Sequence, residues 1–76
     1  MKELLEMIAK ALVDNPDDVS VTVVEEEYNT ILELRVAPED MGKVIGKGGR
    51  IAKSIRTLVK AYAIKENKRV LVEIIG

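Results

Sequence analysis

MGKVIGKGGRIAKSIRTLVK, residues Met41 to Lys60, holds four of the chain's five glycines within eight positions: Gly42, Gly46, Gly48 and Gly49. Glycine loses more conformational freedom on folding than any other residue, so a cluster of them needs a physical reason. Two reasons fit this stretch. One is a sharp turn between two helices, and the other is a place where a ligand's phosphates approach bare backbone.

The segment after the glycines has helical periodicity from Arg50 to about Lys65. At about 100° per residue, with Lys53 as zero, Lys60 falls near −20°, Arg56 near −60° and Arg50 near +60°. Ile51, Ile55, Leu58 and Tyr62 gather around 180°, so the spacing predicts a basic stripe opposite an aliphatic face. No Asp or Glu occurs between Met41 and Lys65. The i, i+4 ion pairs that steady an ordinary solvated helix are therefore absent from it. Its cations are left for an external anion or for an acidic part of the same chain. The start of such a helix also presents unpaired N–H groups and partial positive charge, next to the glycines.

Working back toward the N-terminus, Pro38 ends an apolar alternation, and Asp40 to Ile45 reads as a short helix with acidic residues at its start. The alternation itself, Ile31 to Ala37, sets Leu32, Leu34 and Val36 against Glu33 and Arg35. Val19 to Glu25 alternates in the same way, with Tyr28-Asn29-Thr30 as the turn of an antiparallel hairpin. Residues 2–13 form an amphipathic helix with Leu4, Leu5, Ile8, Ala11 and Leu12 inward. Asp14-Asn15-Pro16 stops it. After the Glu66-Asn67-Lys68 turn, Arg69 to Ile75 is a final strand. The order is α-β-β-α-α-β. A two-helix crossover between the second and third strands implies that they are parallel neighbours. The fold class expected is α+β, two layers, a three-stranded mixed sheet with three helices on one face. Val24, Ile31, Leu71 and Ile75 fall on the other face.

Charge is divided along the chain. Residues 1–40 carry three basic and eleven acidic side chains, a net −8, and residues 41–76 carry nine and two, a net +7. Either the halves neutralise each other or the second half faces a polyanion. Seventy-six residues allow one small domain. With Tyr28 and Tyr62 as the only aromatics, its core has to be aliphatic. There is neither Cys nor His, which excludes disulfides, thiolate metal sites and an imidazole base. Asp14 to Asp18 and Glu25 to Glu27 read as solvated loop charges. A calcium loop begun at Asp14 would put Pro16 at a ligand position and Val19 where glycine is needed. No metal or other cofactor is expected, and no small-molecule substrate. Ser54 and Tyr62 lack a partner for nucleophilic catalysis, so the protein is not expected to be an enzyme. The acidic, amphipathic start is unlike a targeting peptide, and no apolar run approaches about 18 residues. A soluble cytoplasmic protein without membrane contact is the expectation.

Other glycine loops fail on spacing. A phosphate-binding Walker loop needs four residues before Gly-Lys and a Ser or Thr after it, and a dinucleotide fingerprint needs glycine where Ile51 stands. What the stretch does resemble, in Ile45-Gly46-Lys47-Gly48-Gly49 within α-β-β-α-α-β, is the K-homology (KH) domain in its type II arrangement. Within that group, DMGKVIGKGGRIAKSIRTLV in so short a chain is similar to the small bacterial single-KH-domain RNA-binding proteins, the KhpA family. The resemblance covers residues 1–76 as one KH domain, with 1–27 as the N-terminal extension and 30–76 as the β-α-α-β core. It implies binding of single-stranded RNA, with single-stranded DNA left open, and a role as RNA chaperone or post-transcriptional regulator. Gly46, Lys47, Gly48 and Gly49 would clamp the backbone of about four nucleotides. Val44, Ile45, Ile51 and Ala52 would wall the groove, with Lys43, Arg50, Lys53 and Arg56 beside the phosphates. Many KH domains have a large aliphatic residue where this chain has Ala52. The resemblance also implies pairing, as a homodimer or with another KH protein. An interaction module for which RNA binding is secondary is the alternative.

Overall fold

The computed structural model describes residues 1–76. Its elements follow the expected order: α1 Lys2–Leu12, β1 Ser20–Glu25, β2 Thr30–Arg35, α2 Met41–Ile45, α3 Arg50–Lys65 and β3 Val70–Ile75. Short 3-10 turns, Pro16–Asp18 and Pro38–Asp40, lead into β1 and α2. The helix expected from Asp40 thus begins at Met41. Strand β2 is central, antiparallel to β1 and parallel to β3, as the crossover length required.

The helices cover one sheet face. Val21, Leu32, Leu34, Val70 and Val72 point into it and meet Leu5 and Ala9 of α1, Val44 of α2, and Ile55, Val59 and Ala63 of α3. Val23 shares that face but lies beside Met1, where α1 only begins, and stays exposed. In α1 the buried contact is made by Leu5 and Ala9, while Ala11 and Leu12 are exposed.

The larger difference is in α3. Its buried residues are Ala52, Ile55, Val59 and Ala63, a face about 70° round the helix from the one expected. Leu58 and Tyr62 are left 55% and 41% exposed. Ala52 and Ala63 are small enough to be buried whole on that side, and the bulkier Leu58 and Tyr62 are turned toward solvent. At the C-terminal end of α3, Asn67 adopts φ +57, and the Lys68 N–H donates to the Ala63 carbonyl at 2.7 Å. This is a glycine-type helix stop made with asparagine, the side chain that best tolerates a left-handed backbone.

On the uncovered face, register aligns Val24, Ile31 and Leu71 in one row across all three strands.

Candidate nucleic-acid interface

Helix α2 has five residues and ends when the Gly46 N–H donates to the Gly42 carbonyl at 2.9 Å. Gly46 itself takes φ +76 and ψ 172, a region only glycine occupies easily. A Cβ there would lie 2.6 Å from Cγ1 of Ile51, so Gly46 is required by contact as well as by conformation. Gly48 and Gly49 also have positive φ, +66 and +76, but a Cβ at either would meet nothing within 4 Å. These two glycines turn the chain and leave its outer surface bare. Lys47 stands exposed between them and Gly46. Helix α3 then starts without a side-chain cap, so its first N–H groups end at the bare loop.

So short a helix as α2 does not hold its own direction. Asp40, fully buried, does much of this. Its carboxylate accepts hydrogen bonds from the Asn15 N–H and Nδ2 at 3.0 Å each and from the Asp14 N–H at 3.3 Å. Burial pushes the Asp40 carboxyl up, but the Asn15 side chain, the two backbone donors and Lys43 together outweigh this and hold it below the ordinary carboxylate value. Lys43 completes the latch, with Nζ 2.8 Å from Oδ2 of Asp14 and 3.7 Å from Oδ1 of Asp40. The hydrogen bond and charge of Asp14 raise its pKa, with Asp40 adding to this against a smaller effect of burial. Asp14 is thus part of an ion pair and not merely a solvated loop charge, and the Lys43 charge is already matched inside the chain.

The other expected cations are differently placed. Lys47, Arg50, Lys53 and Lys60 are exposed and take part in no ion pair. Lys43 is the only residue of the basic half paired with the acidic half, so mutual neutralisation of the halves is not how this charge is arranged. Arg56 is exposed and donates from Nε to the Val72 carbonyl at 3.4 Å. The four residues expected to wall a groove are placed differently from one another. Ile45 and Ile51 are partly exposed beside the loop, whereas Val44 and Ala52 are 0% and 4% exposed and turn into the core.

Sequence spacing did not reveal what the far strand contributes. Carbonyls of Arg69 and Ile75 accept from the N–H groups of Thr30 in β2 and of Val36 just beyond it. Alternate residues of a strand point their backbone groups to the same side, so Val70, Val72 and Ile74 direct theirs to the free edge. A cleft of about 450 Å³ separates this edge from the second half of α3, and Lys68 and Arg69 stand at its far end. Only the return of β3 beside α3 brings these cations into line with Arg56 and Lys60. The two lysines and two arginines are up to 13 residues apart in sequence.

A three-stranded mixed sheet, helices on one face, and a bare glycine turn joining the two crossover helices define a type II KH domain. Residues 2–74 match the family described as KhpA/KhpB, KH domain, and the chain belongs to that family. It is 72% identical over 75 residues to a protein of Clostridium acetobutylicum named RNA-binding protein KhpA, covering 99% of this chain and 100% of that one. A Clostridium perfringens protein of the same name has the same identity and coverage. Another from Borreliella burgdorferi is 56% identical over 73 residues, 96% of this chain and 89% of that one.

Proposed function

We propose that the chain is a non-catalytic single-stranded RNA-binding protein, its loop Gly46–Gly49 gripping the phosphate backbone of about four nucleotides. The observation that carries this is the bare loop at the uncapped start of α3, followed along that helix by cations that take part in no ion pair within the molecule. The names of its relatives point the same way. Lys47 reaches the first phosphates, Arg50 and Lys53 flank them, and Arg56 and Lys60 continue the track. Ile45 and Ile51 offer an aliphatic surface to the bases, which suits a chain without aromatic stacking platforms at the site. Lys43 acts through the latch that orients α2. On this reading its role is RNA chaperoning or post-transcriptional control.

Three to five phosphate contacts give a log K against log salt slope of roughly −2 to −3.5 on single strands. Replacing Lys47 and Gly48 together by Asp sets two anions where phosphate must lie. Both residues are exposed, and a side chain at 48 meets nothing. The variant keeps its circular dichroism spectrum and loses RNA binding in fluorescence anisotropy. Native-like binding by this variant refutes the clamp.

A second reading has its own observation, the apolar row Val24, Ile31 and Leu71 on the uncovered sheet face. It fits pairing with a second KH chain. Sedimentation velocity of Leu71→Asp beside the parent tests it: the same sedimentation coefficient for both removes that reading.

A further inference from the structure

The two edges of the sheet differ in what guards them. The Glu26 N–H donates to the Asn29 carbonyl, so in the antiparallel ladder Ser20, Thr22 and Val24 turn their backbone groups to β2. Val21, Val23 and Glu25 turn theirs to the free edge of β1, where neither backbone nor side chain bonds them. From Val19 to Val24 the chain has no charge and no proline, the features that ordinarily blunt an edge. Val23 and Val24 sit on opposite faces of it, 41% and 36% exposed. Val23 also borders a recess of about 130 Å³ beside Met1, with room for an apolar side chain of a neighbouring strand. Both ends of the strand are acidic. Asp17 and Asp18 precede it, Glu25, Glu26 and Glu27 close it, and all of these are exposed. None is in an ion pair, although the glutamates share a shallow bowl with Lys68 and Arg69.

We propose that the β1 edge takes up, as an added strand, an extended segment of another protein that is uncharged over about five residues and carries Lys or Arg at both ends. Its backbone pairs with the free groups of Val21, Val23 and Glu25. Its side chains cover Val23 and Val24, and its end cations meet the two acidic clusters. Charge excludes other occupants. A second copy, laid antiparallel and centred on Thr22, sets Asp17 and Asp18 of each chain against Glu27 and Glu26 of the other, and like charges directly opposite repel. A nucleic-acid strand meets the same carboxylates. At the β3 edge the signs are reversed: Arg56 takes the outward Val72 carbonyl and Lys60, Lys68 and Arg69 stand near it, so a basic segment is turned away there. Strand uptake at β1 is independent of the glycine loop, and it gives the acidic half of the chain a surface of its own.

A terminally blocked peptide, Lys-Lys-Val-Thr-Val-Thr-Val-Lys-Lys, tests this on the whole chain by NMR titration and amide hydrogen exchange. Binding slows exchange at Val21, Val23 and Glu25 far more than at Thr22 and Val24, which β2 already holds. Glu25→Gln/Glu26→Gln/Glu27→Gln weakens the peptide about tenfold at low salt and does not weaken RNA binding. Val23→Pro keeps the fold, since the N–H it removes serves no ladder bond, and it abolishes peptide uptake. Should that variant unfold, the triple variant, altered only at exposed side chains, decides without it. Absence of protection at the β1 amides, equal binding of a peptide with Glu in place of each Lys, or protection at β3 instead overturns the proposal. So does a concentration-dependent sedimentation coefficient that Val23→Pro abolishes, which assigns the edge to a second copy. Protection of the same amides by single-stranded RNA overturns it as well.

Discussion

Gly46→Ala separates two roles that the glycine cluster combines. At Gly46 an alanine must accept φ +76 with ψ 172 and a Cβ that lies 2.6, 2.9 and 3.0 Å from three side-chain atoms of Ile51. The backbone region costs about 1–3 kcal/mol, and forcing a methyl into an occupied space about 1–3 kcal/mol more. A loss of about 3 kcal/mol is expected. For a domain of this size that lowers Tm by roughly 12–24 °C. At Gly48 or Gly49 the left-handed backbone alone is at stake, about 1 kcal/mol and roughly 4–8 °C. Urea denaturation monitored by circular dichroism measures all three. In an Ile51→Ala background the Gly46→Ala cost shrinks, because the atoms it meets are gone. If Gly46→Ala is no more destabilising than Gly48→Ala, or if Ile51→Ala does not relieve it, packing of Ile51 on Gly46 is not what shapes the loop.

Gly42 is different again: it lies inside α2 with normal helical φ and open space around it, so Gly42→Ala raises stability by about 0.5–1 kcal/mol in the same denaturation experiment. Ile55→Ala costs about 2–5 kcal/mol and Leu58→Ala stays within about 0.5 kcal/mol, a direct check on which face of α3 is buried. The Asp40 carboxyl lies below its ordinary value in the folded chain, so its contribution is complete above the unfolded carboxylate pKa of about 4 and is lost as pH falls through the lower folded value. Asp40→Ala lowers Tm at neutral pH and flattens that acid limb in calorimetry. For Lys43, raised in the folded chain, the contribution is complete below about pH 10.4 and disappears as pH rises through the folded value, so Lys43→Gln flattens the alkaline limb.

Periodicity was sufficient for the architecture, because short apolar segments bounded by turn residues mark the strands and the two-helix connection leaves β3 only one side of β2 to occupy. Periodicity was a poorer guide to α3. Apolar residues spread over more than half its circumference, and side-chain bulk ranks Leu58 and Tyr62 above Ala52 and Ala63 although the alanines are the ones buried. Asp40 looked like an acidic residue at a helix start. Its function as a buried anchor depends on Asn15, 25 residues away, and no local pattern joins the two. The glycine loop and the cations up to Arg56 were legible because they are consecutive in sequence. Lys68 and Arg69 were not, since only the return of the last strand beside α3 aligns them with that stretch.

Strand β3, VLVEII, is six residues long, rich in β-branched and aliphatic side chains, and carries a single charge. Such a segment on an unpaired sheet edge is a template for another molecule's strand. Here Arg56 occupies the outward Val72 carbonyl, and Lys60, Lys68 and Arg69 line the approach to the edge. These four cations therefore keep two copies of this edge from zipping together. Neutralising them costs the protein colloidal stability before it costs the fold anything, and the damage surfaces as precipitation at high concentration in the absence of RNA.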